Sequence, residues 1–178
     1  MYGSTRASSY VATHANNNNS TIKEVLDSWY LTNIESKGYE DQVSKKTGFC
    51  GDREPSTSSS AVMSPTGLVS ALFPLLLPLT VYISSLFLHF NVGLFTADEV
   101  AMAGGVYGQT NESYYLYTNS AYWTMSPCSF NAANSYAGVF FVVSDGIPGN
   151  ANVNGTIGVR PVINLASNVT IRSGNGTS

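Results

Sequence analysis

The stretch Val92–Gly105, VGLFTADEVAMAGG, decides how the rest of the chain is read. Thr96 and Glu99 have the spacing of a capping box, in which the Thr hydroxyl takes the amide three residues on and the Glu carboxylate reaches back. A helix is therefore predicted to begin at Ala97. Phe95, just before the cap, and Val100, at the fourth helical position, can close over that turn as a hydrophobic staple. Gly104 and Gly105 then stop the helix near Ala103, because glycine takes the left-handed conformation at no steric cost. Start, angle of approach and stop are all local. The stretch speaks for a fold and says little about chemistry.

Working outward, the 178 residues suffice for one domain, and 43% hydrophobic residues supply a core. Charged residues are only 11% of the chain, against roughly 25% in an ordinary soluble domain. The abundance of Asn, Ser, Thr, Gly and Tyr suits a neutral, hydrogen-bonding surface of extracellular type. A net charge of -3, with no basic cluster beyond Lys45-Lys46, argues against a nucleic-acid partner. Cys50 and Cys128 permit one disulfide or two separate thiols and exclude a four-cysteine zinc site. His14 and His89 lie far apart with no carboxylate at ligand spacing, so no metal and no cofactor are expected. No basic region followed by an apolar run opens the chain, and no signal peptide is read there.

Upstream, Met1–Asn19 is polar and reads as loop, with an Asn run at its end. From Ser20 the pattern is helical: Ile22, Val25, Leu26, Trp29, Tyr30 and Ile34 share one apolar face, and Gly38 supplies a stop. A helix over Thr21–Lys37 is expected, with Trp29 and Tyr30 in the core. The Phe49–Glu54 turn, FCGDRE, is read as a loop held by an Asp-Arg contact. Between Pro55 and Ala97 no charged residue occurs, and Leu68–Phe95 is dominated by Leu, Phe, Val and Ile. Its length would span a bilayer. Against that, Pro74 and Pro78 interrupt the run, Ser84, Ser85 and His89 dilute it, and no basic residues flank it. A buried strand pair, a segment foreign to the fold and membrane association through 68–95 are the three readings.

Downstream the pattern is β. Ser113–Leu116 and Tyr122–Met125 read as short strands, with Trp123 a core anchor, and Ser126-Pro127 as a break that opens a loop. Gly138–Ser144 is a buried strand followed by an Asp145-Gly146 turn. Gly149–Gly155 reads as loop, and Val159–Leu165 as a last strand whose Pro161 marks an edge or bulge. Helices followed by strands in this order predict α+β with an antiparallel sheet.

Four motifs in order, GFCGDRE at Gly48–Glu54, GLFTADEVAMAGG at Gly93–Gly105, YWTMSP at Tyr122–Pro127 and GVRPVINL at Gly158–Leu165, carry a resemblance. They resemble a domain of unknown function, DUF6273, recurrent in surface proteins of gut Firmicutes. That domain is similar in turn to the C-type-lectin-like fold of formylglycine-generating enzymes, where a capped helix ending in a Gly pair likewise precedes the strands. The resemblance covers most of Tyr2–Thr177. It implies a single C-type-lectin-like domain over 1–178, helices packed on a small antiparallel sheet, at the cell surface or outside the cell. Two departures stand out. The uncharged apolar run at 55–92 replaces the family's polar, tyrosine-rich stretch, as an insert or a rearranged reading frame would. Met1 also falls where the family motif is already under way, which implies a truncated N-terminal edge and an incomplete copy.

Enzyme and binding module are the competing classes. The enzymatic relatives use a late cysteine pair, and Cys128 stands alone there; lectins that hold calcium use a carboxylate, Pro, Asn cluster, from which Glu54-Pro55-Ser56 departs. A non-catalytic ligand-binding or adhesion module is therefore expected, with an extracellular glycan or protein as its ligand. The alternatives are a membrane-associated or non-functional fragment and a divergent formylglycine-generating-enzyme-like enzyme. The Asn-, Ser- and Gly-rich loops Cys128–Tyr136 and Asp145–Asn154 are expected to emerge side by side as the recognition surface. Phe130 and Tyr136 would give contact area, and Asn131, Asn134, Asp145, Asn150 and Asn152 hydrogen bonds.

Overall fold

The computed structural model describes residues 20–45, 49–50, 87–88, 91–131, 136–170 and 173. Its frame is a small α+β arrangement: a three-stranded antiparallel sheet with one helix packed on each face. The first helix, α1, spans Thr21–Asn33, and Ser20 caps it by accepting the Lys23 amide at 3.2 Å. The α-helix ends sooner than the expected Lys37. A 3-10 turn, Glu35–Lys37, follows it, and Gly38, at φ +72°, closes the chain back. The Gly38 amide bonds the Glu35 carbonyl and the Tyr39 amide the Ile34 carbonyl, the paired bonds of a Schellman stop. Leu26 and Tyr30 are buried as expected. Val25 is 47% exposed, a correction to the predicted apolar face. At 3.6 residues per turn it lies about a hundred degrees from Leu26, on the solvent edge of the stripe.

The short helix α2 spans Ala97–Met102, with both halves of the capping box formed: the Glu99 amide bonds Thr96 Oγ1 at 3.1 Å and the Thr96 amide bonds Glu99 Oε2 at 2.7 Å. Phe95 packs against the cluster containing the fully buried Val100. The stop again has Schellman form, with Gly104 bonded to the Ala101 carbonyl and Gly105 to the Val100 carbonyl. Gly105 has to be glycine for space, because a Cβ there would stand 2.8 Å from Val100 Cγ1.

Five strands are found among the described residues. Phe49–Cys50 (β1) and Phe87–Leu88 (β2) form a two-residue antiparallel pair, so residues 49 and 50, expected in a loop, lie in a strand. The main sheet has the order β3-β4-β5, from Tyr122–Asn131, Tyr136–Val142 and Pro148–Asn152. Ser126-Pro127 does not break β3. The strand carries ten residues against seven in β4, and its register slips between Trp123 and Pro127 and again before Ser129. Such bulges turn backbone groups away from the partner strand, and proline, lacking a donor, is tolerated there. The slipped stretch bonds the chain where it enters α2: the Met125 amide bonds the Phe95 carbonyl at 2.8 Å, and the Ser126 side-chain Oγ accepts the Ala97 amide at 2.9 Å.

Strand alternation divides the core between the two faces. Val139 and Phe141 of β4, with Trp123 and Met125 of β3, meet Leu26 and Tyr30 of α1. Val142 and Tyr122 meet Val100 of α2, and Phe140 meets Ala97 and Cys128. Val92 and Leu94, the tail of the apolar run, belong to the α1 side at 6% and 1% exposure. Of Leu68–Phe95, only residues 87, 88 and 91–95 are described. Among the described residues no helix is long and apolar enough to cross a membrane.

Two further expected strands are absent. Ser113–Leu116 is a pair of turns, because Asn111 Oδ1 takes the Ser113 amide at 3.1 Å and bends the chain; Tyr114 and Leu116 are buried nonetheless. Val159–Leu165 forms no ladder with one partner. Gly158 bridges Tyr122, Val162 bridges Gly93, and Leu165 bridges Val43, so the segment ties three distant stretches together. Pro161 removes one donor, and the change of partner at each step prevents a continuous strand.

Candidate functional site

The expected recognition residues fall at both ends of the sheet. At one end β3 turns into β4, with Asn131 paired to Tyr136 and Phe130 to Ala137. Asn134 and its neighbours at 132–135 lie outside the described residues, as do the side chains of Phe130, Asn131 and Tyr136. Cys128–Asn131 and Tyr136 are therefore strand where a loop was expected. Gly149–Gly155 changes in the same way, since Pro148–Asn152 is the outer strand β5. Asn150 is exposed on it, and Asn152 pairs with Gly138 next to the hairpin end. The Asn152 Oδ1 is buried with no hydrogen-bond partner.

Asp145 lies elsewhere. It sits in the turn between β4 and β5, at the far end of a seven-residue strand from Tyr136, a separation of roughly 20 Å at strand rise. The turn is closed by the Val143 amide on the Ile147 carbonyl at 2.9 Å, and Asp145 Oδ1 accepts the Ile147 amide at 3.2 Å. The two loops thus do not emerge side by side along their whole length. Residues 152–154 return to the hairpin end, while 143–147 stand at the opposite one. An antiparallel connection reverses direction at every turn, so loops successive in sequence open at alternate ends.

The turn end of the sheet holds a cluster that the sequence pattern puts in an ordinary strand. Arg160 sends Nη1 to the Leu116 carbonyl at 2.6 Å, a contact across 44 positions in sequence. Its guanidinium carbon lies 5.1 Å from the Phe95 ring centroid and 5.3 Å from that of Tyr122. Tyr122 donates its hydroxyl to the same Leu116 carbonyl at 3.1 Å. The buried Tyr114 hydroxyl makes no well-formed hydrogen bond, although the Tyr122 hydroxyl is near enough to act on it. Burial is the largest cause pushing the Tyr114 phenol above its usual pKa, with Tyr122 adding to it and the Arg160 charge opposing it. Tyr122 is raised by burial too, against the lowering influence of Tyr114 and Arg160.

On the α1 face the Tyr30 hydroxyl is likewise buried and without partner, its pKa raised by burial and then by Glu35 and Glu40. Cys128 is buried against Ala97 and Phe140, and the side chain of Cys50 lies outside the described residues. Among the described residues no group of three or more His, Cys, Asp or Glu side chains is placed to hold a metal ion. Sequence reasoning missed Arg160 because its partners, Phe95, Leu116 and Tyr122, share no spacing with it. The one available signal was its place in the GVRPVINL motif, as a cation inside an apolar segment.

No family model, curated protein or solved structure matches the chain.

Proposed function

We propose that the chain is a non-catalytic recognition module of an extracellular or cell-surface protein, presenting the hairpin end of its sheet to a glycan or protein on a C-type-lectin-like scaffold. The observation that carries this reading is the composition of that end. The outer strand β5 reads PGNAN, exposes Asn150, and holds the Asn152 Oδ1 buried without a donor beside the point where β3 meets β4. A donor that reached this oxygen as the edge opened would satisfy a group that the fold leaves unpaired, with no protein donor to displace. Edge strands and hairpin ends on a rigid frame are also where polar recognition residues can vary without disturbing the core.

Support for the lectin-like form of the scaffold comes from the order of parts: the capped helix α2, ending in Gly104-Gly105, precedes the sheet strands and is pinned to the first of them through Ser126. A glycan array probed with the purified chain tests the function. A double alanine substitution at Phe130 and Tyr136 should lose whatever ligand the array identifies while the far-ultraviolet circular dichroism stays unchanged. Full affinity in that variant, or a requirement for calcium, would show the site to be elsewhere.

A further inference from the structure

The turn end of the sheet is short of hydrogen-bond acceptors. Arg160 carries five N–H donors and no acceptor; Nη1 goes to the Leu116 carbonyl, the Tyr122 phenol is a second polar neighbour, and the fork has more donors than these two partners can take. That same carbonyl already receives the Tyr122 hydroxyl. The Tyr114 hydroxyl, on a residue 7% exposed, is left without a well-formed bond. Among the described residues no carboxylate pairs with Arg160; the ion pairs found there join Lys23 to Asp27 and Lys45 to Asp41. A half-buried cation with no counter-charge is costly to keep. Stacking on two rings holds the guanidinium in place and leaves its planar fork unneutralised, and that fork matches a carboxylate bidentately.

We propose that Arg160, held by Phe95, Tyr122 and the Leu116 carbonyl, is a binding site for the carboxylate of an acidic sugar. The sugar assignment follows from a neighbouring residue. Tyr114 and Leu116 are buried, while Tyr115, between them and next in sequence to the carbonyl that Arg160 grips, is 69% exposed. Its ring offers an apolar platform for the C–H face of a pyranose. This site lies at the opposite end of the sheet from the hairpin and does not depend on the hairpin being a binding surface.

Titration of the whole chain with sodium glucuronate, glucose, sodium acetate and a short polyglutamate, followed through the Arg160 side-chain N–H resonance, tests the site. Glucuronate should bind at least about tenfold more tightly than glucose, the change expected from charge-assisted hydrogen bonds. Acetate should shift the same resonance more weakly. Arg160→Gln should abolish the glucuronate response, read from the remaining backbone resonances, and Arg160→Lys should weaken it. Tyr115→Ala, at an exposed position that does not bear on folding, should weaken glucuronate and leave acetate unchanged. The Phe130 and Tyr136 double alanine variant should bind glucuronate normally, which separates this site from the hairpin. Equal binding of glucose and glucuronate, a response that survives Arg160→Gln, or polyglutamate binding as tightly as glucuronate would overturn the proposal.

Discussion

The two faces of the central sheet are held by different means. On the α1 face large apolar side chains dominate: Leu26, Tyr30, Leu94 and Trp123 form one cluster, with Phe141 tilted against the Trp123 ring at a centroid distance of 5.9 Å. On the α2 face the helix has six residues, and polar contacts between distant segments supplement a smaller apolar cluster. Thr124 bonds the Phe140 carbonyl at 2.7 Å, Ser126 takes the Ala97 amide, and Arg160 and Tyr122 converge on Leu116. A helix shorter than two turns cannot sustain itself and has to be fixed by tertiary contacts. The first face is stabilised mainly by area removed from water. The second depends on geometry, because a buried polar group is tolerable only while its partner stays in place.

The largest expected break of this comparison is on the apolar face. Trp123 is 4% exposed and contributes to the α1 cluster from the strand that also carries the α2 contacts. Trp123→Ala should cost about 3–5 kcal/mol, the usual loss for truncating a buried aromatic, and should lower the melting temperature more than any single change on the α2 face. A loss below about 1 kcal/mol in calorimetry would show that the α1 cluster is not the main source of stability.

A smaller effect separates two glycines with similar backbone angles. Gly38, after α1, has φ +72° and nothing within 4 Å of where a Cβ would stand, whereas Gly146, in the β4-β5 turn, has φ +83° and would place a Cβ 2.1 Å from the Asn111 carbonyl oxygen. Gly38→Ala should cost only the left-handed strain of an L residue, about 1–2 kcal/mol. Gly146→Ala should cost roughly 1–3 kcal/mol more, because it also forces apart the turn and the 111 loop. Equal losses for the two, measured by denaturant unfolding, would mean that the turn and the loop do not depend on their close approach.

What the sequence made legible follows the same division. The α1 stripe apart from Val25, Trp123, the capping box and the Gly104-Gly105 stop are local or periodic signals, and each is found in place. The signals that misled are those whose meaning depends on a remote partner. Ser126-Pro127 reads as a break because proline cannot donate to a ladder, yet β3 bulges there and bonds the chain where it enters α2. Val159–Leu165 has the composition of a strand, but its bridges go to Gly93 and then to Val43, after Gly158 just before it has bridged Tyr122. PGNAN reads as loop by composition and becomes an edge strand, where weak propensity is tolerated because one side alone is paired. The Arg160 cluster was illegible for the same reason, being assembled from four separate segments.

The smallest effect at neutral pH, and the one that sharpens the contrast most, comes from the buried tyrosines. Both faces have them: Tyr30 on the α1 face, and Tyr114 and Tyr122 on the α2 face. All three are raised above the ordinary value, chiefly by burial. A phenol whose folded pKa exceeds its unfolded pKa of about 10 keeps its proton in the native state after the unfolded chain has lost it. The folded state then binds more protons, so stability is fully present below about pH 10 and declines as pH rises toward the folded values. Arg160 sets the two faces apart, because its charge lowers Tyr114 and Tyr122 and is not among the causes acting on Tyr30. Arg160→Gln should therefore move the late part of the tyrosinate absorbance titration to higher pH and steepen the alkaline loss of stability. Tyr30→Phe should remove one late-titrating phenol in either background without changing that shift. A titration in which Arg160→Gln leaves every tyrosine unmoved, or moves the Tyr30 phenol as far as the other two, would show that the cation does not act selectively on the α2 face.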